Sequence, residues 1–407
     1  SAGTASNSGT ILQQNNLTVT ANSGTLTLGA VTMNNSGEND LNVNGAGNTT
    51  IGGVIAATSG ASDINKSGSG TLTLSGNNSS LFKLNIAQGT VALNHANALG
   101  SAYADKVNFT GSGTLQANAS IAPAGLGIRV ASGQTATLDV TGANTLTVGG
   151  ALAVISGSGT FTKTGSGTLA ISGDSTYTGS FNQNAGVTDV SDTLDASAGI
   201  TVNGGRLNVG TGAFVGDVNQ NSGTVSGGGT IVGNFVQTSG VLSPGNSPGT
   251  LFVGGNATWN GGSYLWEVTT VNPGTPGTDW DYVDITGTLT IGAGYTVNVD
   301  DLNALPGWDS ENNYSWLIAT AADGISGFGN LGLSVGGFNQ NPYGGTFALN
   351  QVGNTIVLDY TGAPLGPESS AVPEPNALSL TMLAGLLLVS FRHKMRQMRR
   401  QLTTAAA

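Results

Sequence analysis

One short pattern dominates this chain and limits what it can fold into. Apolar residues alternate with Thr, Ser or Asn for four to seven positions, and a Gly/Asn/Ser turn follows. The pattern recurs from residue 11 to 291, as at Leu17 to Thr20, Thr25 to Leu28, Leu41 to Asn44, Thr71 to Leu74, Thr168 to Ile171, Thr201 to Asn203 and Thr286 to Ile291. Successive side chains of a strand point to opposite faces, so this alternation predicts strands with one buried face. Composition agrees. Gly makes up 66 of 407 residues, and Gly, Ser, Thr and Asn are all weak helix formers. Gly follows no every-third period and Pro numbers only 11, which excludes collagen. Disorder goes with low hydrophobicity and high charge, whereas 38% of this chain is hydrophobic and 8% is charged.

Part of the pattern is true internal repetition. Lys66 to Ser79 reads KSGSGTLTLSGNNS and matches Lys163 to Thr176, KTGSGTLAISGDST, without a gap. Shorter echoes stand at Gly111 to Leu115 and Gly157 to Phe161. Short strands repeated between Gly turns predict a solenoid, in which each coil buries its apolar side only by stacking on its neighbours. A Gly/Ser linker would have no reason to hold Leu72 and Leu74, or Leu169 and Ile171, on one face.

The stretch KTGSGTLAISGDSTYTGSFNQNAGV, Lys163 to Val187, resembles the autotransporter-associated β-strand repeat, and so does the copy beginning at Lys66. Leu242 to Leu251, LSPGNSPGTL, is similar to a turn that often follows such repeats near the end of a β-helix. The resemblance implies a right-handed parallel β-helix on a bacterial surface, and it speaks of scaffold more than of activity.

From about Gly262 the texture changes. All five Trp lie between Trp259 and Trp316, and Asp becomes denser. Strands are expected at Tyr264 to Val268, Tyr282 to Ile285, Tyr295 to Val299, Tyr314 to Ile318, Thr346 to Leu349 and Ile356 to Tyr360. Together they predict an aromatic β cap or small sandwich closing the solenoid, whose open end would expose strand edges.

Charge is split along the chain. Five of the 11 Lys and Arg (Arg392, Lys394, Arg396, Arg399 and Arg400) follow the last acidic residue, leaving six against all 22 Asp and Glu in the body. Phosphate binding needs clustered basic residues, so nucleic acid is excluded as a partner. The chain has no Cys, which removes disulfides, thiolate chemistry and Cys-ligated zinc.

The basic cluster closes an ordered tail: Val372-Pro373-Glu374-Pro375, then the uncharged Ala377 to Phe391, then Arg392 to Arg400. Fifteen helical residues reach about 22 Å against a ~30 Å hydrocarbon core, a tight span that snorkelling Arg and Lys can extend. The positive-inside rule keeps the cluster cytoplasmic and the body outside. This order of parts resembles the PEP-CTERM sorting signal. The resemblance implies transient inner-membrane anchoring, cleavage near the PEP motif by an exosortase-type enzyme, and delivery to the outer surface or exopolysaccharide matrix of a Gram-negative-type bacterium. Extracellular polysaccharide is then a candidate partner. Ser1-Ala2-Gly3 lacks an initiator Met and an apolar h-region, so the sequence reads as a mature chain or a fragment. No segment reads as a translocator barrel.

Catalysis finds little footing. The body's basic residues, Lys66, Lys83, Lys106, Arg129, Lys163 and Arg206, are widely spaced and read mostly as turn residues, and His95 is the only His outside the tail. No G-x-S-x-G offers a nucleophile elbow. The one dense acidic group is Asp279, Asp281 and Asp284. A strand there sets Asp279 and Asp281 on one face and Asp284 on the other, so the group ranks low as a metal site and reads as a solvated strand start.

The expected organisation is all-β: a β-solenoid over 1–261, the aromatic cap over 262–362, a linker over 363–371, the sorting and anchor segment with its one hydrophobic helix over 372–400, and a tail over 401–407. The expected role is non-enzymatic, structural or adhesive, without cofactors. The alternative is a carbohydrate-active β-helix, a polysaccharide lyase or hydrolase.

Overall fold

A computed structural model gives the architecture. It describes residues 3–363 apart from 34–38, 58–61, 79–81, 102–104, 124, 151–154, 174, 272, 303–304 and 341–343, and beyond them Lys394. The expected sorting motif, the Ala377 to Phe391 helix and the rest of the basic cluster lie outside the described residues. Among those described, no helix is long and apolar enough to cross a membrane.

The chain winds into a parallel β-helix. Every coil contributes one strand to a 15-stranded sheet that runs from Thr4–Asn7 to Ile325–Ser326 with all pairs parallel. A second face is an eight-stranded sheet from Leu17–Thr20 to Thr176–Tyr177. A further eight-stranded sheet beginning at Thr193–Asp195 carries this face on, joined by Ser175 N donating to Thr193 O at 3.1 Å. The third face holds three short strands at Ile11–Gln13, Val31–Met33 and Ile55–Ala57, and later nine from Thr145–Gly149 to Gly332–Gly337.

Alternation decides what goes inside. Asp63–Lys66, Thr71–Leu74 and Lys83–Ile86 each bury every second residue. Parallel register then stacks like on like: Leu28, Ile51, Leu74, Leu93, Ala117 and Val140 lie one above another, each 5% exposed or less. Fully burying such a side chain stabilises by roughly 1.5–3 kcal/mol, and no single coil could bury it alone. Coil length is set by the turns. Before the C-terminal end it ranges from 17 residues, where Asn234 lies over Asp217, to 27, where Ser156 lies over Arg129. Outside, polar residues form ladders of their own: Asn65 Nδ2 donates to Asn42 Oδ1 at 3.1 Å, Asn85 to Asn65 at 2.8 Å and Asn108 to Asn85 at 3.3 Å.

The two repeat copies do not occupy the same face. Up the ladder, Lys66 lies under Ile86, Phe109, Val130 and then Gly157, not under Lys163. Lys66 closes a strand on the second face, whereas Lys163 sits on the 15-stranded face. The repeated sequence is therefore a corner, a strand end plus Gly turn plus strand start, and the fold uses it at two different corners. Strand edges shift in places: the strand expected at Thr201 to Asn203 is Ile200–Val202, and only Leu289–Ile291 of Thr286 to Ile291 is paired.

Residues past Gly262 continue the ladders. Gly262–Glu267 pairs in parallel with Tyr295–Asp300, and that strand with Gly332–Gly337. The texture change at 262 thus marks a change of side chains within shared sheets. Closure comes later. Tyr314–Ala321 pairs antiparallel with Thr355–Thr361, which forms a hairpin with Thr346–Val352. Aromatic rings fill this end: Trp266 and Trp316 lie 5.6 Å apart, Trp259 stacks on Tyr295 at 4.8 Å, and Trp308 meets Tyr360 at 4.6 Å.

Candidate functional site

The three carboxylates at 279–284 do not converge. Asp279 Oδ2 accepts from Thr275 N at 2.7 Å and closes a local turn. Asp284 lies on the outward side of Tyr282–Ile285, between Phe252 and Thr320 in register. Asp281 is fully buried, which corrects the reading of a solvated strand start. Its inward position follows from the alternation that also buries Val283 and Ile285. Among the described residues no group of three or more His, Cys, Asp or Glu could hold a metal ion.

Asp281 instead organises the LSPGNSPGTL turn of the neighbouring coil. Its Oδ1 accepts from Gly249 N at 2.8 Å and its Oδ2 from Glu267 N at 3.2 Å. Glu267, 7% exposed, accepts from Ser247 Oγ. Burial, helped by the nearby Glu267, pushes the Asp281 carboxyl up to about 8 against the pull of its two amide donors. The turn's glycines are required by contact: a Cβ on Gly245, at φ 72°, would lie 2.3 Å from Gly249 Cα. Gly245 also exchanges backbone hydrogen bonds with Gly227 at 2.8 and 3.1 Å, which folds the turn back over the third face.

That fold creates a cleft of about 580 Å³ lined by Arg206, Thr224, Ser243, Asn246 and Ser247, among others. Arg206 Nε donates to Ser226 Oγ at 2.7 Å. Ser226, 1% exposed, passes the contact to Asn208 Oδ1 at 3.2 Å, and Asn208 Nδ2 donates to Asp189 Oδ1 at 3.0 Å.

The other basic residues are not turn decorations, as the sequence suggested; all but Lys106 lie within strands. Lys66, Lys106 and Lys163 are 2% exposed or less. Lys163 Nζ donates to Thr164 O at 2.7 Å, Gly165 O at 3.0 Å and, one coil up, Ala185 O at 3.1 Å. Lys66 Nζ does the same with Gly68 O and Gln88 O, and Lys106 Nζ bonds Phe82 O while lying 3.8 Å over the Phe82 ring. Burial lowers all three ammonium groups, Lys106 to about 7 and Lys163 to about 8. Gln183, Gln220 and Gln237 repeat the device with Nε2 on the carbonyls of their own turns. A tight Gly turn points carbonyls inward, and a buried acceptor needs a donor. The signal missed in the sequence is a Lys or Gln that ends a strand just before a Gly turn, as in Lys163-Thr164-Gly165 and Gln237-Thr238-Ser239-Gly240. His95 stays local, with Nδ1 accepting from Asn97 N at 3.0 Å.

A family model for the passenger-associated-transport-repeat matches residues 64–93 and 161–209. Both copies read from the sequence carry repeats of this kind. The first match begins in the strand that ends at Lys66 and spans the corner after it, and the second runs from the Lys163 strand through the strand headed by Arg206. A search of curated proteins returns no match.

Proposed function

We propose that this chain is a secreted structural or adhesive protein of a bacterial surface or its polysaccharide matrix, held transiently in the inner membrane and cut near Val372 to Pro375 by an exosortase-type enzyme. The observation that carries the reading is the parallel β-helix, two stretches of which, 64–93 and 161–209, match the passenger-associated-transport-repeat. Its interior is given to stacking, and its corner cations and the Asp281 carboxylate are spent on backbone groups. Its exterior offers ladders of Asn, Thr and Ser suited to hydrogen bonding with glycans. The sorting tail supplies the route, from Val372-Pro373-Glu374-Pro375 to the Arg392–Arg400 cluster.

Mass spectrometry of the exported protein tests the route: a C-terminus near Pro375 is expected, and a surface-exposed chain still ending at Ala407 would falsify processing. Incubation of the purified chain with acidic and neutral polysaccharides tests the role. No new reducing ends or unsaturated products are expected, and robust turnover would replace the structural reading with an enzymatic one.

A further inference from the structure

Between Lys163 and Arg392 the sequence holds a single Lys or Arg, and it is Arg206. Unlike the buried corner lysines, this side chain is exposed. It heads the Arg206–Val209 strand and lines the cleft beneath the folded-back Gly245–Ser247 turn. Its one side-chain hydrogen bond among the described residues, from Nε to the buried Ser226 Oγ at 2.7 Å, is continued through Asn208 to Asp189. That relay aims the guanidinium and leaves its two terminal nitrogens for a ligand. A pinned guanidinium fork matches a carboxylate in plane and geometry.

The rest of the cleft is suited to a sugar. Thr224 and Ser243 bring hydroxyls, Asn246 brings an amide, and Val241 and Leu265 bring apolar surface for the C–H face of a ring. The volume of about 580 Å³ falls in the range of small-ligand sites, roughly 300–1,000 Å³. Among the described residues no acid lines the cleft; Glu267, in the same strand as the lining residue Leu265, accepts from Ser247 Oγ, and Asp189 accepts from Asn208 Nδ2.

We propose that the Arg206 cleft binds a uronic-acid unit of an extracellular glycan, with the guanidinium on the sugar carboxylate and the cleft's hydroxyl and amide groups on the ring hydroxyls. The site gives a rod whose surface charge is otherwise mostly acidic one cationic point of selectivity for acidic over neutral polysaccharide. The inference rests on the reading of the chain as a glycan-associated extracellular protein.

The test is calorimetric titration of the full chain with oligogalacturonate, an uncharged oligoglucose of equal length and a sulfated oligosaccharide. Oligogalacturonate is expected to bind, with the neutral and sulfated probes weaker by about tenfold or more. Arg206→Gln should weaken uronate binding by about tenfold or more, leaving far-UV circular dichroism and the thermal midpoint unchanged, because Arg206 is exposed. Ser226→Ala should give a smaller loss. Equal uronate binding by Arg206→Gln and the parent chain, or none by either, overturns the site, and sulfate binding as tight as uronate overturns the choice of ligand. A chain retained in the surface fraction that binds no uronate sinks the site alone. A chain that binds uronate but stays in the cytosol sinks the extracellular reading alone.

Discussion

The rod and its C-terminal end solve the same stacking problem by different means. In the rod, coils of 17 to 27 residues repeat, small aliphatic side chains sit in columns, and corner Lys and Gln satisfy the turn carbonyls. Toward the end the coils lengthen to 32 residues, where Thr288 lies over Asn256, and 36, where Ser326 lies over Thr290. There the column Gln220, Gln237, Trp259 passes from amide to indole. Repetition works only while the next coil is alike. Where it stops, large rings and an antiparallel hairpin cover what a next coil would have covered.

Trp316→Ala attacks the end most directly, since Trp316 is fully buried between Trp266 and Tyr314. The expected cost is about 3–5 kcal/mol, with limited proteolysis releasing C-terminal fragments before the rod is cut. A rod that is cut first would erase the distinction between the regions. The corresponding blow to the rod is Lys163→Met, which strands the Thr164 and Gly165 carbonyls and leaves Ala185 O to Gln183 Nε2 alone. In urea unfolding it should cost about 2–4 kcal/mol, while Lys163→Gln costs under about 1 kcal/mol, because Gln183, Gln220 and Gln237 already serve such turns. Equal losses from both variants would mean that the charge, not the donor, matters.

The two regions should also answer pH with opposite sign. Asp281 is raised from 3.8 to about 8, so its folded form binds the extra proton and its contribution declines as pH rises from about 4 to about 8. Lys106 and Lys163 are lowered from 10.5 to about 7 and about 8, so the cost of burying them is relieved as pH rises from there toward 10.5. All five Trp lie between 259 and 316, so their emission reports the end while far-UV circular dichroism weighs the rod. The emission midpoint in urea should fall between pH 4 and 8, and Asp281→Asn should flatten that fall. The dichroism midpoint should gain on the alkaline side. The smallest effect belongs to the outer ladders: Asn85→Ala, which loses contacts with Asn65, Asp63 and Asn108, should cost about 1 kcal/mol.

Much of the rod was legible because side-chain period is a local property. Leu17–Thr20, Thr25–Leu28, Leu41–Asn44 and Thr71–Leu74 form strands where the alternation places them. Lys163 and Asp281 read from sequence as turn and solvent because charged residues normally stay outside. Their burial depends on carbonyls and amides supplied by another coil, as Ala185 O and Gly249 N show. In the sequence Arg206 is one scattered cation; the SPGNSPG turn that folds over it arrives from the chain two coils later.

The sequence by itself determined that this protein is built of short strands, Gly turns and apolar stripes, since each of those is a preference of a few adjacent residues. Only the tertiary structure decided which face each strand joins. The same Lys-x-Gly-Ser-Gly corner closes a strand on one face at Lys66 and on another at Lys163. A corner fixes the bend locally, but its place around the coil depends on how many residues the preceding turns have spent.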